Sequence, residues 1–153
     1  MGSNRVRPIH PKHFLTQEEK DRLVSAIQTA ERQSSGEICV AVEKSGREDV
    51  LARAQKVFKK LGMTKTKRRN GVLFFLSLKE RRFAVLGDTA IHQKLGENFW
   101  QSIAAEMEIY FKRDEFGAGL EAGIRKAAAE LALHFPRSAD DRNELPDKIQ
   151  EEP

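Results

Sequence analysis

Residues 70–87 read NGVLFFLSLKERRFAVLG and set the architecture of this chain. The run Val72–Leu76 is apolar without alternation, which is typical of a central strand that is buried on both faces. Lys79 and Glu80 then turn the chain, and residues 81–87 return as a second strand. The stretch therefore predicts an antiparallel β-hairpin in the middle of a sheet.

A strand and a helix precede this hairpin. In residues 37–44, the larger side chains Ile38, Val40 and Val42 point one way and Cys39 and Ala41 point the other, which predicts the strand. An apolar stripe at helical spacing follows, and Gly62 is a favourable residue just beyond the end of that helix. A strand, a crossover helix and a second strand form a βαβ unit, so the two strands should be parallel and the crossover right-handed.

Helices are predicted on both sides of this unit. Thr16 and Glu19 have the spacing of a capping box, so a helix begins there. After Gly87 the pattern is helical, with Asp88 able to cap a short first turn, until Pro136 ends the last helix. The order α-β-α-β-β-α-α predicts an α/β fold, a three-layer α/β/α sandwich whose small mixed sheet combines the βαβ unit and the antiparallel hairpin.

The chain divides into an N-terminal extension, residues 1–15, a domain, residues 16–136, and an acidic C-terminal tail, residues 137–153. The tail has three basic and six acidic residues, so its charge is −3 and that of the remaining chain is +7. Either the basic body binds an anionic partner, or the tail lies on the body's own basic surface. Leu145 and Ile149 are the tail's sizeable apolar residues, and we expect it to be loosely held.

Composition limits the possible classes of protein. Apolar residues make up 39% and charged residues 33% of the chain, as in soluble globular domains, and no stretch approaches the roughly 18 apolar residues of a membrane span. Residues 1–14 lack the apolar core of a signal peptide. Cys39 is the sole cysteine, so we expect a reducing compartment and a cytoplasmic location. Its apolar neighbours indicate an unreactive core residue.

Topology brings polar residues together at one end of the predicted sheet. Glu37 and Asn70 each start a parallel strand, and the antiparallel strand ends at Asp88, so the three should converge. A basic loop, residues 65–69, borders this end. The candidate catalytic and metal-binding residues are Glu37 and Asp88, and the candidate ligand-binding residues are Asn70, Asp88, His92, Arg68 and Arg69.

Two kinds of ligand are consistent with these residues. Ca²⁺ and Mg²⁺ need several oxygen ligands, and two acids with one amide would make a weak site. The adjacent positive charge favours an anion such as phosphate. Each residue also has a structural interpretation: Asp88 as a helix N-cap, Asn70 as a turn residue and Glu37 in a surface ion pair. Because the basic loop lacks interleaved aromatic residues, we expect no specific nucleic-acid partner.

Several motifs resemble those of the TPM domain family. The run Asn70–Phe75 followed by Arg82–Gly87 is similar to the core hairpin of that family. The similarity extends over residues 16–135, and Asn143–Asp147 is similar to the tail of a short, soluble bacterial branch. Further similar segments are Ser35–Ile38, Phe58–Met63 and Phe111–Leu120.

The resemblance implies an α/β/α sandwich and two classes of function. The family includes a plant thylakoid-lumen protein linked to acid phosphatase activity and photosystem II repair, proteins that bind Ca²⁺ in an acidic crevice, and factors that resemble membrane-associated assembly proteins. After the hairpin, the family has an aromatic-glycine-x-glutamate segment. This chain has Gly87–His92 there, and the position of the glutamate falls near Ile91. That difference is unfavourable for a metal-dependent phosphatase site.

Two functional hypotheses follow. The first is a non-catalytic binding or accessory module that recognises a protein partner, or acts in the assembly and maintenance of a membrane complex, without a transmembrane segment of its own. The alternative is a weak, divalent-metal-dependent phosphomonoesterase of the acid phosphatase type, which would use Glu37, Asp88 and Ca²⁺ or Mg²⁺. The difference at Ile91 favours the first hypothesis.

Overall fold

The computed structural model describes residues 7–138, 144–145 and 147–152. These residues form five α-helices, a short 3₁₀ turn and four β-strands. In chain order, the elements are α1 (Gln17–Gln33), β1 (Glu37–Glu43), α2 (Val50–Lys60), the 3₁₀ turn (Met63–Lys65), β2 (Gly71–Ser77), β3 (Arg82–Gly87), α3 (Thr89–Leu95), α4 (Glu97–Phe111), α5 (Phe116–His134) and β4 (Gln150–Glu151). The predicted α/β class and the predicted order of elements up to α5 are confirmed, with α3 in place of the short turn after Gly87.

The sheet has the strand order β3-β2-β1-β4. β1 and β2 are parallel, with Glu37 opposite Gly71, and β2 and β3 are antiparallel, with Val72 opposite Gly87. This is the predicted βαβ unit and hairpin. The capping box at the start of α1 is also present, with the Glu19 amide donating to Thr16 Oγ1 at 3.1 Å.

Helices cover both faces of the sheet and enclose two apolar cores. One core, under α1, α4 and α5, contains Phe74, and the other, under α2, contains Phe75. All seven residues of β2 are consequently buried. The absence of alternation in the sequence of β2 follows from this two-sided burial. Among the helices of residues 7–138, none combines the length and the apolar character that a membrane span requires.

The fourth strand was not predicted. Gln150 and Glu151 pair in parallel with Ala41 and Val42, so the sheet has four strands instead of three. A strand of two residues has no alternating pattern that sequence inspection could detect, and its side chains are polar. The strand exists because the edge of β1 offers unpaired backbone groups to a neighbouring segment.

Residues 144–145 and 147–152, which we call the C-terminal strap, run beside β1. Leu145 packs into the core under α2, whereas Ile149 packs into the core on the opposite face. Glu151 forms an ion pair with Lys20 of α1, and the amide of Glu152 donates to the carbonyl of Val42. The expectation of a loosely held tail is therefore wrong for these residues, because two apolar anchors and a strand pairing attach them.

Replacing Leu145 with alanine tests this attachment. We expect the free energy of unfolding to fall by about 2 kcal/mol, because Leu145 is 8% exposed and its truncation leaves a cavity beneath the strap. Urea denaturation measures the change. Leu133→Ala is the matched control, because Leu133 is 71% exposed and its truncation should change the free energy by less than about 0.5 kcal/mol. Equal effects of the two variants would contradict an anchored strap.

Candidate functional site

The structure places Glu37, Asn70 and Asp88 at the same end of the sheet. Glu37 is the first residue of β1, Asn70 directly precedes β2, and Asp88 directly follows β3. The amide of Asp88 donates to the carbonyl of Gly71 at 2.9 Å, which ties the exit of β3 to the entry of β2. The three side chains nevertheless do not form one common site, because each of them has its own hydrogen-bond partners.

Asp88 is buried and forms a two-point ion pair. Its carboxylate oxygens accept from Arg69 Nε at 2.6 Å and from Arg69 Nη2 at 2.8 Å. Oδ1 also accepts from the amide of Thr89 at 2.7 Å, so Asp88 caps α3 as its structural interpretation predicts. The hydrogen bond and the charge of Asp88 raise the pKa of Arg69 and keep its guanidinium ionised. Both oxygens of Asp88 are thus occupied within the chain.

Gly87 makes this arrangement possible at the end of β3. A Cβ atom at this position would overlap the indole ring of Trp100, and it would lie 3.0 Å from Ile91. Only a glycine lets α3 and α4 approach the strand so closely. The close approach fixes the direction in which the chain leaves β3, and with it the position of Asp88.

Glu37 lies beneath the C-terminal strap, and it is 2% exposed. Its carboxylate accepts from the amide of Glu144 at 2.8 Å and from the amide of Leu145 at 3.3 Å. Burial raises the pKa of Glu37 to about 7, although these two hydrogen bonds oppose the rise. The surface ion pair that the sequence suggested for Glu37 is wrong, because the strap covers the carboxylate and supplies backbone donors instead.

The other candidate residues have separate partners. Asn70 is buried, and its Nδ2 donates to Ser35 Oγ at 3.2 Å, which joins the entry of β2 to the turn before β1. Arg68 Nη2 lies 3.1 Å from Ser138 Oγ. The ring of His92 stacks on Trp100 with a centroid distance of 6.4 Å. Apart from Arg69 and Asp88, which pair with each other, the candidate ligand-binding residues are therefore distributed over separate contacts, and their roles in binding stay predictions.

Sequence reasoning missed a pair of acidic side chains next to this end of the sheet. Glu31 of α1 is 7% exposed, and burial raises its pKa to about 9. A hydrogen bond with Asp147 of the strap raises the pKa further, as do the charges of Asp147 and Glu37, while Arg137 opposes them. One signal could have revealed Glu31: it lies four residues after Ile27, on the apolar stripe of α1.

The residues present do not fit a divalent cation. Among the described residues, no group of three or more histidine, cysteine, aspartate or glutamate side chains could hold a metal ion. Ca²⁺ takes about six to eight oxygen ligands, whereas the oxygens of Asp88 contact a guanidinium and those of Glu37 contact amides. A cation at Asp88 would have to displace the charge of Arg69.

Cys39 is buried, as predicted. Burial is the main cause that raises the pKa of its thiol to about 12, and nearby carboxylates add to the effect. A thiol with such a pKa is almost fully protonated near neutral pH, and the thiolate is the reactive form. The thiol is therefore a packing group.

Comparison with solved structures identifies proteins of the same fold. BA42 protein from the psychrophilic bacterium Bizionia argentinensis is 41% identical, with a TM-score of 0.83, and the match covers 90% of this chain and 94% of that one. The N-terminal domain of a P. gingivalis protein is 21% identical, with a TM-score of 0.67, and the match covers 81% of this chain and 82% of that one. The N-terminal domain of a Corynebacterium glutamicum protein is 13% identical, with a TM-score of 0.63, and the match covers 81% of this chain and 78% of that one. The last two similarities concern the fold alone.

The chain also matches the model of a sequence family, although no curated protein matches it. The family model of the TPM domain matches residues 9–130, which include α1 to α4 and most of α5. Together with the similarity to BA42 protein over nearly the whole of both chains, this match establishes the family. The chain belongs to the TPM domain family.

Proposed function

We propose that this TPM domain is a non-catalytic accessory module that binds a protein partner, in a role such as the assembly or maintenance of a larger complex. The proposal rests on one observation: both candidate catalytic carboxylates are buried and accept hydrogen bonds from groups of the same chain. Asp88 is 5% exposed and bonded to Arg69 and to the amide of Thr89, and Glu37 is 2% exposed and bonded to the strap. Neither group has the accessible oxygen that an attack on a phosphoester would need.

The physical cost of freeing these groups supports the same proposal. A general base must lie within hydrogen-bond distance, about 2.6–3.2 Å between heavy atoms, of the substrate group whose proton it removes. Releasing Asp88 would remove the cap of α3 and leave Arg69 without its partner. Releasing Glu37 would detach the strap at Glu144 and Leu145. A catalytic role for either carboxylate would therefore require local opening of the chain before each turnover.

One observation favours a second candidate, a weak divalent-metal-dependent phosphomonoesterase. The pKa of Glu37 is raised to about 7, and general acids and bases work best with a pKa near the working pH. Structural carboxylates that are buried for packing reasons have raised pKa values as well. The observation therefore supports the phosphatase less strongly than the internal contacts support the binding module.

Hydrolysis of para-nitrophenyl phosphate, with Ca²⁺ or Mg²⁺ added in turn, distinguishes the two candidates. We expect no turnover above the buffer blank for the full chain, and none for Glu37→Gln or Asp88→Ala. We also expect Asp88→Ala to lower the free energy of unfolding by about 1–2 kcal/mol, because it removes a helix cap and a partly exposed ion pair.

The matched control for this assay is Glu18→Gln, which changes an exposed carboxylate on α1. Metal-dependent turnover that survives in Glu18→Gln and disappears in folded Glu37→Gln and Asp88→Ala would refute the non-catalytic proposal. Circular dichroism establishes that each variant is folded before its activity is compared.

A further inference from the structure

Residues 50–79 contain nine basic side chains and not one acidic side chain. The net charge of the whole chain is only +4, so the residues outside this segment sum to −5. The segment comprises α2, the 3₁₀ turn, the loop before β2, and β2 itself. Positive charge is therefore concentrated in one continuous part of the fold.

Three of the nine basic residues form ion pairs with carboxylates of the described residues. Arg53 pairs with Glu43, Lys56 with Glu48, and Arg69 with Asp88. Five others follow one another from the last turn of α2 into the loop before β2, and all five are exposed. We call these residues the basic face: Lys59, Lys60, Lys65, Lys67 and Arg68.

Helix electrostatics account for part of the basic face only. Lys59 and Lys60 lie in the last turn of α2, where the helix dipole favours cations. Lys65 follows the helix, so the dipole gives no reason for a cation there. Among the described residues, no carboxylate forms an ion pair with Lys59, Lys60 or Lys65. These three ammonium groups are available to an external anion.

The backbone that carries the basic face is held in place. Gly62 has φ of 79°, a left-handed conformation that glycine adopts without strain. Met63 is 0% exposed and Thr66 is 4% exposed, so both attach the loop to the core. The ion pair between Arg69 and Asp88 holds the far end of the loop. A surface whose backbone is already ordered loses less conformational entropy when it binds.

The C-terminal tail already touches one edge of the basic face. Arg68 Nη2 lies 3.1 Å from Ser138 Oγ, and the amide of Lys67 donates to Glu144 Oε1 at 3.4 Å. This is the second interpretation of the charge asymmetry, in which the acidic tail lies on the basic body. Within the chain, this edge of the basic face therefore contacts one carboxylate oxygen and one hydroxyl oxygen.

We propose that the basic face is a docking surface for an acidic segment of a protein partner, which replaces the contacts that Ser138 and the Glu144 side chain make with Arg68 and Lys67. The inference rests on the proposed accessory function and specifies the surface and the chemistry of the partner. Lys59, Lys60 and Lys65 supply the initial electrostatic attraction, because their charges are exposed and lack partners among the described residues.

Other polyanions fit the basic face less well. Residues 59–68 contain no aromatic side chain on which a nucleic-acid base could stack. A membrane-binding surface usually combines basic residues with apolar ones that enter the lipid. The large exposed apolar side chains of the described residues lie outside residues 59–68, at Ile9, Leu51, Ile109 and Leu133.

NMR titration of the isotope-labelled full chain with a ten-residue polyglutamate peptide tests the inference. We expect amide shifts concentrated in residues 59–68 and at Glu144, with an affinity that falls as salt is added. The triple variant Lys59→Glu, Lys60→Glu, Lys65→Glu should lower the affinity about tenfold or more, since three favourable charge contacts become repulsive. The corresponding glutamine variant should lower it by a smaller factor.

The control is a second triple variant with the same change in net charge. Lys12→Glu, Lys44→Glu and Arg113→Glu alter exposed residues that precede α1, follow β1 and follow α4, and the affinity should stay within about twofold. Equal losses in both triple variants would refute a localised docking surface. A ten-residue polyglutamine peptide that bound equally well would refute the requirement for acidic side chains.

The remaining outcomes separate this inference from the proposed function. Tighter binding to single-stranded DNA or to phosphatidylserine vesicles than to the peptide, on the same residues, would overturn the assignment of the partner class. Absence of any peptide binding, together with absence of phosphoester turnover, would overturn this inference alone. Turnover that is lost in Glu37→Gln would overturn the proposed function, whatever the peptide does.

Discussion

Replacement of Phe74 by alanine should lower the free energy of unfolding by about 3–5 kcal/mol. Phe74 is in the middle of β2, it is 0% exposed, and it packs against the helices of the larger core. A Cβ at Gly123 of α5 would lie only 2.8 Å from Phe74 Cε1, so the ring fills the space between sheet and helix tightly. The sheet and α5 are both ordered and cannot collapse into the cavity that truncation of the ring would leave. The variant therefore loses the full free energy of unfolding that such a cavity costs.

Urea denaturation of Phe74→Ala and of Phe83→Ala measures this effect against a matched control. Phe83 is on the edge strand β3 and is partly exposed, although its ring contacts Phe111 at a centroid distance of 4.8 Å. We expect its truncation to cost about half as much or less, because its site is open to solvent on one side. A larger loss for Phe83→Ala than for Phe74→Ala would contradict the central position of Phe74 in the core.

Stability should fall as the pH rises from about 5 to about 9.5, the reverse of the usual behaviour of paired carboxylates. The pKa of Glu37 is raised from 4.5 to about 7 and that of Glu31 from 4.5 to about 9, in both cases mainly by burial. The stabilisation from protonated Glu37 and Glu31 is fully present below pH 4.5. It is lost as the pH rises through about 7 for Glu37 and then through about 9 for Glu31.

The size of this effect follows from the same pKa values. For Glu37, the difference between 4.5 and about 7 corresponds to a loss on the order of 3 kcal/mol between low and high pH. Above pH 9, ionised Glu31 repels Asp147 and Glu37, and Arg137 offsets part of that repulsion. Glu37 also faces the charges of Glu144 and Asp147. The strap, which contains Glu144 and Asp147, should therefore be the element most weakened at high pH.

Glu31→Gln provides the critical comparison in urea denaturation at pH 5, 7 and 9.5. Glutamine keeps the shape of the side chain and can donate to Asp147, but it does not titrate. We therefore expect the variant to lose much less stability than the parent chain between pH 7 and pH 9.5. The control Glu18→Gln, at an exposed position, should keep the parent slope. An unchanged slope in Glu31→Gln would exclude Glu31 as the titrating group.

Much of the fold followed from local patterns. The unalternating run in β2 predicted burial on both faces, and the order of strand, helix and strand predicted the parallel pairing of β1 with β2. Both predictions succeed because they depend on side-chain periodicity and on the handedness of short connections. The two-residue strand β4 was missed, because its pairing partner Ala41 is more than a hundred residues away and its own sequence has no pattern.

Less of the candidate site than of the fold could be predicted from the sequence. Strand topology was sufficient to place Glu37, Asn70 and Asp88 at one end of the sheet. It could not reveal their partners, since the choice of Arg69 for Asp88 depends on loop geometry, including φ of 52° at Arg69. Glu31 was missed for a related reason, because a glutamate near the end of an apolar stripe is more often exposed than buried.

Residues 70–87 and their flanks were enough to predict the hairpin and the βαβ unit, and the charges of residues 137–153 were enough to show the charge asymmetry of the chain. Those properties arise from the order of neighbouring side chains, which the sequence contains directly. The environment of Glu37 became known only from the packed chain, because its hydrogen bond to Glu144 spans 107 residues. A contact of that length depends on how the strap folds back along β1, and burial beneath the strap then raises the pKa of Glu37.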